Sequence, residues 1–169
     1  MDCSSVFCLT FAGAPGSSKT PIANFLSCQL NLPVFNNHAI RKEVLEDQAV
    51  WNEPQILEYE KPRDRRLEAV LKNHLSFIYD ASMDRNWDNL KPRLIRKNYT
   101  WFIISLDLSR ELLLKFYPAL RAFDFRTKKI LKNHNAEIGL HLTDQDFSSR
   151  LNISLESVTS WLKTKNLKR

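Results

Sequence analysis

Residues 13–20, which read GAPGSSKT, constrain the fold of this 169-residue chain more than any other stretch. An apolar, β-branched and aromatic run at residues 6–12 leads into them, and apolar residues at helical spacing follow. The pattern Gly-x-x-x-x-Gly-Lys-Ser/Thr has the same setting, and in it backbone N–H groups at the start of a helix surround phosphate oxygens. The sequence therefore predicts a phosphate-binding loop between a buried parallel strand and an amphipathic helix.

The pattern gives every residue of this loop a contact with a nucleotide. Lys19 would reach the β and γ phosphates of ATP, and the Thr20 hydroxyl would hold Mg²⁺. Ser18 stands where the pattern has glycine, so it adds a side chain where a phosphate must come close; we expect weaker binding, or no loss if Ser18 has a negative φ. The alternative is an ordinary strand-to-helix turn. The predicted nucleotide-binding residues are Gly13, Ala14, Pro15, Gly16, Ser17, Ser18, Lys19 and Thr20.

Short strands and helices alternate through the first two thirds of the chain. Further strands are predicted at residues 32–35, 75–80 and 101–108, with helical patterns between them. This alternation indicates a three-layer α/β fold, in which a parallel sheet of four to five strands carries helices on both faces and binds ligands at the carboxyl ends of its strands. Residues 51–62 contain two prolines and are predicted as a loop or a broken helix.

The size and composition of the chain indicate one domain. A length of 169 residues with 43% hydrophobic residues supplies one sizeable core, so we expect residues 1–169 to form a single domain. The first apolar run is shorter than a membrane span and no basic segment precedes it, which predicts a cytoplasmic protein without a membrane anchor. The three cysteines have neither a close partner nor histidines at metal spacing, which argues against a disulfide framework or a zinc site.

The net charge of +6 comes from the last third of the chain. From Arg110 onward there are 12 Lys and Arg against 6 Asp and Glu, whereas residues 1–109 hold 13 of each. Such a basic segment suits a phosphate-rich partner, nucleic acid included, although a solvated helical face has the same composition. The same third contains a candidate fifth strand at residues 137–143 and a final helix that we expect Ser154 to cap.

Two motifs follow the second and third predicted strands. They read NNHAIRKEV (36–44) and FIYDASMDRNW (77–87). Together with the loop they resemble the small P-loop kinases of the polynucleotide kinase, zeta-toxin and chloramphenicol phosphotransferase group, over residues 6–126. The resemblance implies that Asp80 acts on Mg²⁺ or its waters and that Arg41 binds substrate or phosphate. The alternatives are an acid that caps the next helix and a solvated surface arginine.

The chain departs from that group at residue 38. The group has an aspartate there, which orients and deprotonates the attacking hydroxyl, three residues before the arginine that Arg41 matches. His38 occupies the place of the aspartate. A histidine also accepts protons near neutral pH, so His38 is either a substitute base or a sign that phosphoryl transfer has been lost; a plain helix-start histidine is the simplest alternative.

A basic lid is implied at residues 109–132. In these kinases a mobile segment at this position carries arginines that stabilise the charge on the transferring phosphoryl group. Arg121 and Arg126 are the candidates here, flanked by aromatic residues. Lys115 stands where the group often has its first lid arginine, and a lysine is a weaker bidentate clamp for phosphate.

Taken together, these residues predict an ATP- and Mg²⁺-dependent phosphotransferase that acts on a hydroxyl of a small metabolite or of a polynucleotide 5′ end. The predicted catalytic residues are Lys19, His38, Arg41, Asp80, Arg121 and Arg126, with Thr20 and Asp80 at the metal. Two alternatives remain open: a nucleotide-binding protein that has lost transfer and acts through a partner, and a basic nucleic-acid-binding module without a nucleotide.

Overall fold

The computed structural model of the chain describes residues 6–45, 53–84, 86–116 and 136–167. These residues form five strands and six helices, which alternate except for two consecutive helices between the second and third strands. The strands are Phe7–Gly13 (β1), Val34–Asn36 (β2), Phe77–Ser82 (β3), Thr100–Leu106 (β4) and Ile138–Leu142 (β5). The helices are Lys19–Leu30 (α1), Asn37–Leu45 (α2), Glu53–Lys72 (α3), Trp87–Arg96 (α4), Arg110–Phe116 (α5) and Phe147–Thr164 (α6).

The five strands form one parallel sheet in the order β2-β3-β1-β4-β5. This confirms the predicted α/β class, and the candidate fifth strand joins the sheet at the edge beside β4. Strand β1 lies at the centre, and six of its seven residues are buried. A parallel strand covered on both faces reads as a continuous apolar run rather than an alternating one, which is the pattern of the sequence FCLTFAG.

Helices cover both faces of the sheet. On one face α1 and α6 pack over a core that includes Phe7, Leu9, Leu26 and Val158. On the other face α3 and α4 pack over a second core, of which Trp87, at the start of α4, is the largest fully buried side chain. Among the described residues, no helix is both long enough and apolar enough to cross a lipid bilayer.

Two expectations about helices were wrong. Residues 53–62 belong to the continuous helix α3, which accommodates Pro62 in its interior, so they are neither a loop nor a broken helix. Ser154 does not begin α6: it is buried within that helix and its hydroxyl donates to the Arg150 carbonyl at 2.7 Å. Asp146 caps α6 instead, because its carboxylate accepts a hydrogen bond from the N–H of Ser149 at 3.0 Å.

The capping of α2 agrees with the sequence. The Asn36 side-chain oxygen accepts a hydrogen bond from the N–H of Ala39 at 3.0 Å, as expected of an asparagine before a helix. Asn36 also pairs in register with Asp80 on the neighbouring strand. Helix α2 therefore begins beside the carboxyl end of β3, at the same edge of the sheet where β1 leads into residues 13–20.

Candidate active site

The loop between β1 and α1 curls tightly around its own backbone. Gly13 has a φ of 136°, and a Cβ at this position would lie 2.6 Å from the Leu106 carbonyl oxygen, so only glycine fits. The N–H of Ser17 donates to the Ala14 carbonyl at 3.2 Å. Pro15 and Gly16 are exposed at the tip while Ser17 is fully buried. The tip of the loop is thus exposed to solvent, while its base is buried.

Ser18 occupies a backbone conformation that favours glycine. Its φ of 70° and ψ of 25° lie in the left-handed region, where a residue with a Cβ costs roughly 1–2 kcal/mol relative to the right-handed one. Ser18 therefore does not have the negative φ at which we expect no loss of nucleotide affinity. Ser18 also makes no side-chain capping bond to the described start of α1, so its hydroxyl does not compensate for the strain.

The Lys19 side chain folds back over the loop. Its Nζ donates to the carbonyl oxygens of Gly13 at 2.8 Å and Ala14 at 2.7 Å, and lies 3.3 Å from the Ser17 Oγ. Burial lowers the Lys19 pKa to about 8, against the opposing attraction of Asp84 and Asp80. The Lys19 ammonium group is thus held by oxygen atoms of the loop itself.

Asp80 and Thr20 meet at the carboxyl end of β3. The Thr20 hydroxyl donates to Asp80 Oδ1 at 3.2 Å, and Asp80 is only 3% exposed. Burial raises the Asp80 pKa, although the Thr20 hydrogen bond and the nearby charges of His38 and Lys19 oppose that shift. The other oxygen, Oδ2, is buried without a hydrogen-bond partner among the described residues.

This pair of oxygens fits a magnesium ion. Mg²⁺ prefers hard oxygen ligands and is commonly held by one or two protein groups, with waters and substrate phosphates completing the shell. A hydroxyl and a buried carboxylate with one unsatisfied oxygen provide such a set. The described residues contain no group of three or more His, Cys, Asp or Glu side chains that could hold a metal.

Asp84 is a member of the site that the sequence analysis missed. Its Oδ2 accepts hydrogen bonds from the Gly13 N–H at 2.8 Å and from the Ser82 hydroxyl at 2.5 Å. The Ser82 Oγ also lies 3.2 Å from the Gly13 carbonyl oxygen. The register between β1 and β3 shifts after Thr10, which brings the end of β3 against the first glycine of the loop. Asp84 therefore fixes the entrance of the loop and adds a negative charge beside Lys19.

The structure places His38 at this edge of the sheet and Arg41 farther away. His38 is exposed in the first turn of α2, close enough to Asp80 to influence its pKa. Arg41 is half-buried on the next turn, and burial lowers its pKa against the opposing influence of Tyr59 on α3. Thus Lys19, Thr20, Asp80 and His38 come together, while Arg41 faces α3.

The predicted lid lies mostly outside the described residues. Arg121 and Arg126 both fall in the segment between Phe116 and Ala136, of which the structure gives no description. Lys115 is exposed near the end of α5. The roles assigned to these three residues stay predictions.

Comparisons with known proteins connect this geometry to a fold. No protein-family model matches the sequence, and no curated protein matches it. Solved structures do match. A shikimate kinase from Bacteroides thetaiotaomicron is 14% identical with a TM-score of 0.61, covering 95% of this chain and 99% of its own. The Mycobacterium tuberculosis APS kinase, solved with AMPPNP and APS, is 11% identical with a TM-score of 0.58, covering 92% and 98%.

A sugar kinase from Janibacter gives the same result, with 17% identity, a TM-score of 0.56, and coverage of 94% of this chain and 95% of its own. The chain has the fold of the P-loop kinases. At such low identity the likeness concerns the fold alone. The finer resemblance to the polynucleotide kinase, zeta-toxin and chloramphenicol phosphotransferase group stays a prediction.

Proposed function

We propose that this protein is an ATP- and Mg²⁺-dependent phosphotransferase that acts on a hydroxyl group. The observation that carries the proposal is the Thr20–Asp80 pair, with its unsatisfied buried oxygen, beside a loop that holds a lysine ammonium group. A strand-to-helix turn has no use for a buried, partly unsatisfied carboxylate, whereas a magnesium–nucleotide site needs one. The kinase neighbours, one of them solved with AMPPNP, support the same conclusion.

The residues of the loop act on the donor nucleotide. In this proposal Lys19 leaves the Gly13 and Ala14 carbonyls and binds the β and γ phosphates, while N–H groups at the start of α1 bind further phosphate oxygens. Thr20 and Asp80 would hold Mg²⁺, which when bound neutralises charge on the β and γ oxygens. The Asp84 bond to the Gly13 N–H keeps the loop open at its entrance.

His38 acts on the acceptor. The exposed imidazole lies at the carboxyl edge of the sheet, where ligands of α/β folds bind. It would take the proton of the acceptor hydroxyl as the oxygen forms its bond to the γ phosphorus and the bond to the β-phosphate oxygen breaks. ADP is the leaving group, and the proton stays on the imidazole until the product leaves.

The test is a titration of the purified protein with a fluorescent ATP analogue, with and without Mg²⁺, followed by turnover of ATP labelled at the γ phosphate. Lys19→Ala should lose both binding and turnover and keep its fold by circular dichroism. The exposed Lys163, on α6, supplies the matched control Lys163→Ala, which should behave as the wild type. Turnover retained in Lys19→Ala would overturn the proposal.

One observation favours a second function, a nucleotide-binding protein that no longer transfers phosphate. Ser18 combines a left-handed backbone with a side chain at a position where glycine lets a phosphate approach. Nucleotide binding without turnover, in the presence of a broad set of hydroxyl acceptors, would support this second function.

A further inference from the structure

A cavity of about 220 Å³ lies between α3, α4 and β3. It is on the face of the sheet opposite α1, under the carboxyl end of β3. At roughly 30 Å³ for each water molecule of the liquid, its volume equals about seven waters, which is enough for a small metabolite. Its floor is apolar, from Leu67 and Leu90, and its walls are polar.

Two arginines and two acidic residues line the walls of the cavity. Asp64 Oδ1 accepts from Arg63 at 3.0 Å and Asp64 Oδ2 accepts from Arg93 at 3.0 Å, so one carboxylate links both guanidinium groups. Glu60 lies 3.5 Å from Arg63 on its other side. Burial raises the Asp64 pKa, but the hydrogen bonds from Arg93 and Arg63 outweigh burial and hold the pKa below its usual range. The carboxylate is therefore ionised at neutral pH.

The cavity is therefore polar but carries no net charge. A free anion would have to displace Asp64 from the arginines and would meet Glu60 and Asp64 as repelling neighbours. Hydroxyl groups face no such penalty, because each donates one hydrogen bond and accepts others. The two carboxylates and the side-chain amides of Asn86 and Asn89 offer both kinds of partner within the same small volume.

We propose that this cavity binds a neutral, polyhydroxylated small molecule and that this molecule is the phosphate acceptor. The second part of the proposal rests on the function proposed above. Tyr79 lines the cavity, on the face of the sheet opposite the Asp80 side chain, and it connects the cavity to α2 rather than to Asp80. Its hydroxyl accepts from Asn37 Nδ2 at 3.3 Å, and Asn37 precedes His38.

The same asparagine offers a contact to the acceptor. Asn37 Oδ1 is buried without a hydrogen-bond partner among the described residues. Buried polar atoms are nearly always paired with protein, water or ligand. A hydroxyl of a molecule that extends from the cavity towards His38 would pair this oxygen, and the neighbouring hydroxyl would then be the one that transfers its proton to the imidazole and forms the new bond to phosphorus.

The test measures binding of two neutral polyols, glucose and myo-inositol, and of the anions gluconate and glucose 6-phosphate by ligand-observed NMR. We expect the wild type to bind a neutral polyol more tightly than either anion. Arg93→Ala should weaken that binding at least about tenfold, the cost of losing a hydrogen bond to a charged group. Arg96→Ala, one turn later on α4 and exposed, is the matched control and should change binding less than about twofold.

Asp64→Asn tests the charge argument directly. The variant removes the carboxylate that links both guanidinium groups, while Arg63 keeps Glu60 at 3.5 Å and Arg93 keeps Glu68 at 3.7 Å. The side chains that line the cavity then carry one net positive charge, so its preference should shift from the polyol to gluconate. If Arg93→Ala fails to fold, Asn89→Ala, at the exposed rim, replaces it, with a smaller expected loss of about two- to tenfold because the amide is uncharged. Tighter binding of an anion by the wild type, no saturable binding of a polyol, or an unchanged preference in Asp64→Asn would each overturn the proposal.

The Lys19→Ala variant separates this proposal from the proposed function. It should bind the polyol as the wild type does while it fails to bind the nucleotide. A wild type that binds the polyol but neither binds nor turns over ATP overturns the phosphotransferase and leaves the cavity assignment standing. A wild type that turns over ATP yet prefers an anion in the cavity overturns the acceptor class alone.

Discussion

The Thr20 hydroxyl donates a hydrogen bond to Asp80 Oδ1 across 3.2 Å, and so joins the first turn of α1 to the end of β3. Residues 20 and 80 are separated by two helices and a strand in the sequence. Their contact follows from the strand order, which places β3 directly beside β1.

Asp80→Asn should raise the melting temperature at pH 7 while it weakens Mg²⁺-dependent nucleotide binding. Burial raises the Asp80 pKa above its unfolded value, so the folded state binds the proton more tightly and loses stability as the pH rises through that range. The amide keeps an oxygen for Thr20 and removes the buried charge. A gain of a few degrees is expected, and it should shrink as the pH falls, because the wild-type carboxyl then becomes protonated.

Calorimetry at pH 7 and at pH 4 checks this outcome, with Glu156→Gln, an exposed acid on α6, as the control without effect. A melting temperature that falls in Asp80→Asn at pH 7 would contradict the account of the buried carboxylate. Nucleotide binding that stays equally dependent on Mg²⁺ would contradict its place at the metal.

Ser18→Gly should strengthen nucleotide binding and leave stability nearly unchanged or slightly improved. Glycine relieves the left-handed strain of roughly 1–2 kcal/mol but adds about 0.5–1 kcal/mol of chain entropy to the unfolded state. Asn31→Gly is the matched control: Asn31 has a φ of 52° at the end of α1, far along the helix from the loop. It should leave the affinity for the fluorescent ATP analogue as it is, and an equal gain in both variants would speak against a specific effect of Ser18.

Lys19 should make nucleotide affinity depend on pH. Its pKa of about 8 means that the ammonium group is lost as the pH rises from 7 to 9, and affinity should fall by up to about tenfold for each pH unit above 8. In the protein without nucleotide, folding stability depends on pH with the opposite sign to nucleotide affinity. Between pH 8 and the ordinary value of 10.5 the unfolded chain binds a proton that the folded chain does not, so Lys19 makes stability rise with pH there.

Lys19→Met should remove that rise, since methionine fills the same space without a charge. The comparison consists of urea unfolding of both proteins at pH 8 and at pH 10. Parallel changes in the two proteins would show that another group dominates the pH dependence in this window.

Asp84→Ala should lower the free energy of unfolding by about 1–3 kcal/mol, the cost of leaving the Gly13 N–H without its acceptor. Asp84→Asn keeps an acceptor oxygen for Gly13 and for Ser82 and should cost much less. Thermal unfolding of the two variants separates the hydrogen bonds from the charge. Equal losses in both would mean that the charge beside Lys19 matters more than the hydrogen bonds.

His38→Asn should reduce phosphoryl transfer by roughly 10²–10⁴-fold, the range attributed to a positioned general base, and leave ATP binding intact. His38→Asp introduces the aspartate that the resemblance to the polynucleotide kinase, zeta-toxin and chloramphenicol phosphotransferase group implies at this position. If the histidine is the working base, this variant loses activity too; higher turnover than the wild type would instead show that transfer has decayed in this chain.

The sequence was sufficient for those parts of the fold that local patterns determine. The apolar run before Gly13 and the alternation of strands and helices predict the α/β class and the order of the strands. The continuous helix through Pro62 could not be predicted from the sequence, because the packing of α3 against the sheet outweighs the loss of one helical hydrogen bond. The prediction for Ser154 was wrong because α6 begins eight residues earlier, where Asp146 makes the capping bond, and Ser154 donates within the helix instead.

The site was harder to predict where it depends on distant residues. The contact between Asp84 and Gly13 arises from the register shift between β1 and β3, which no local pattern reveals. The cavity was equally hard to predict, because Arg63 and Arg93 lie on separate helices and are brought together by their ion pairs with Asp64. Ser18 illustrates a third limit: the residue type was visible in the sequence, but its left-handed backbone was not.

The central position of β1 has a consequence for the synthesis of this protein. Although β1 is made first, its neighbours in the sheet are Phe77 and its successors on one side and Thr100 and its successors on the other. At 5–20 residues per second, the ribosome needs roughly 5–20 s to deliver both partners. During that interval the apolar segment FCLTFAG has neither of its two neighbouring strands, so β1 enters the sheet only after β3 and β4 have been made.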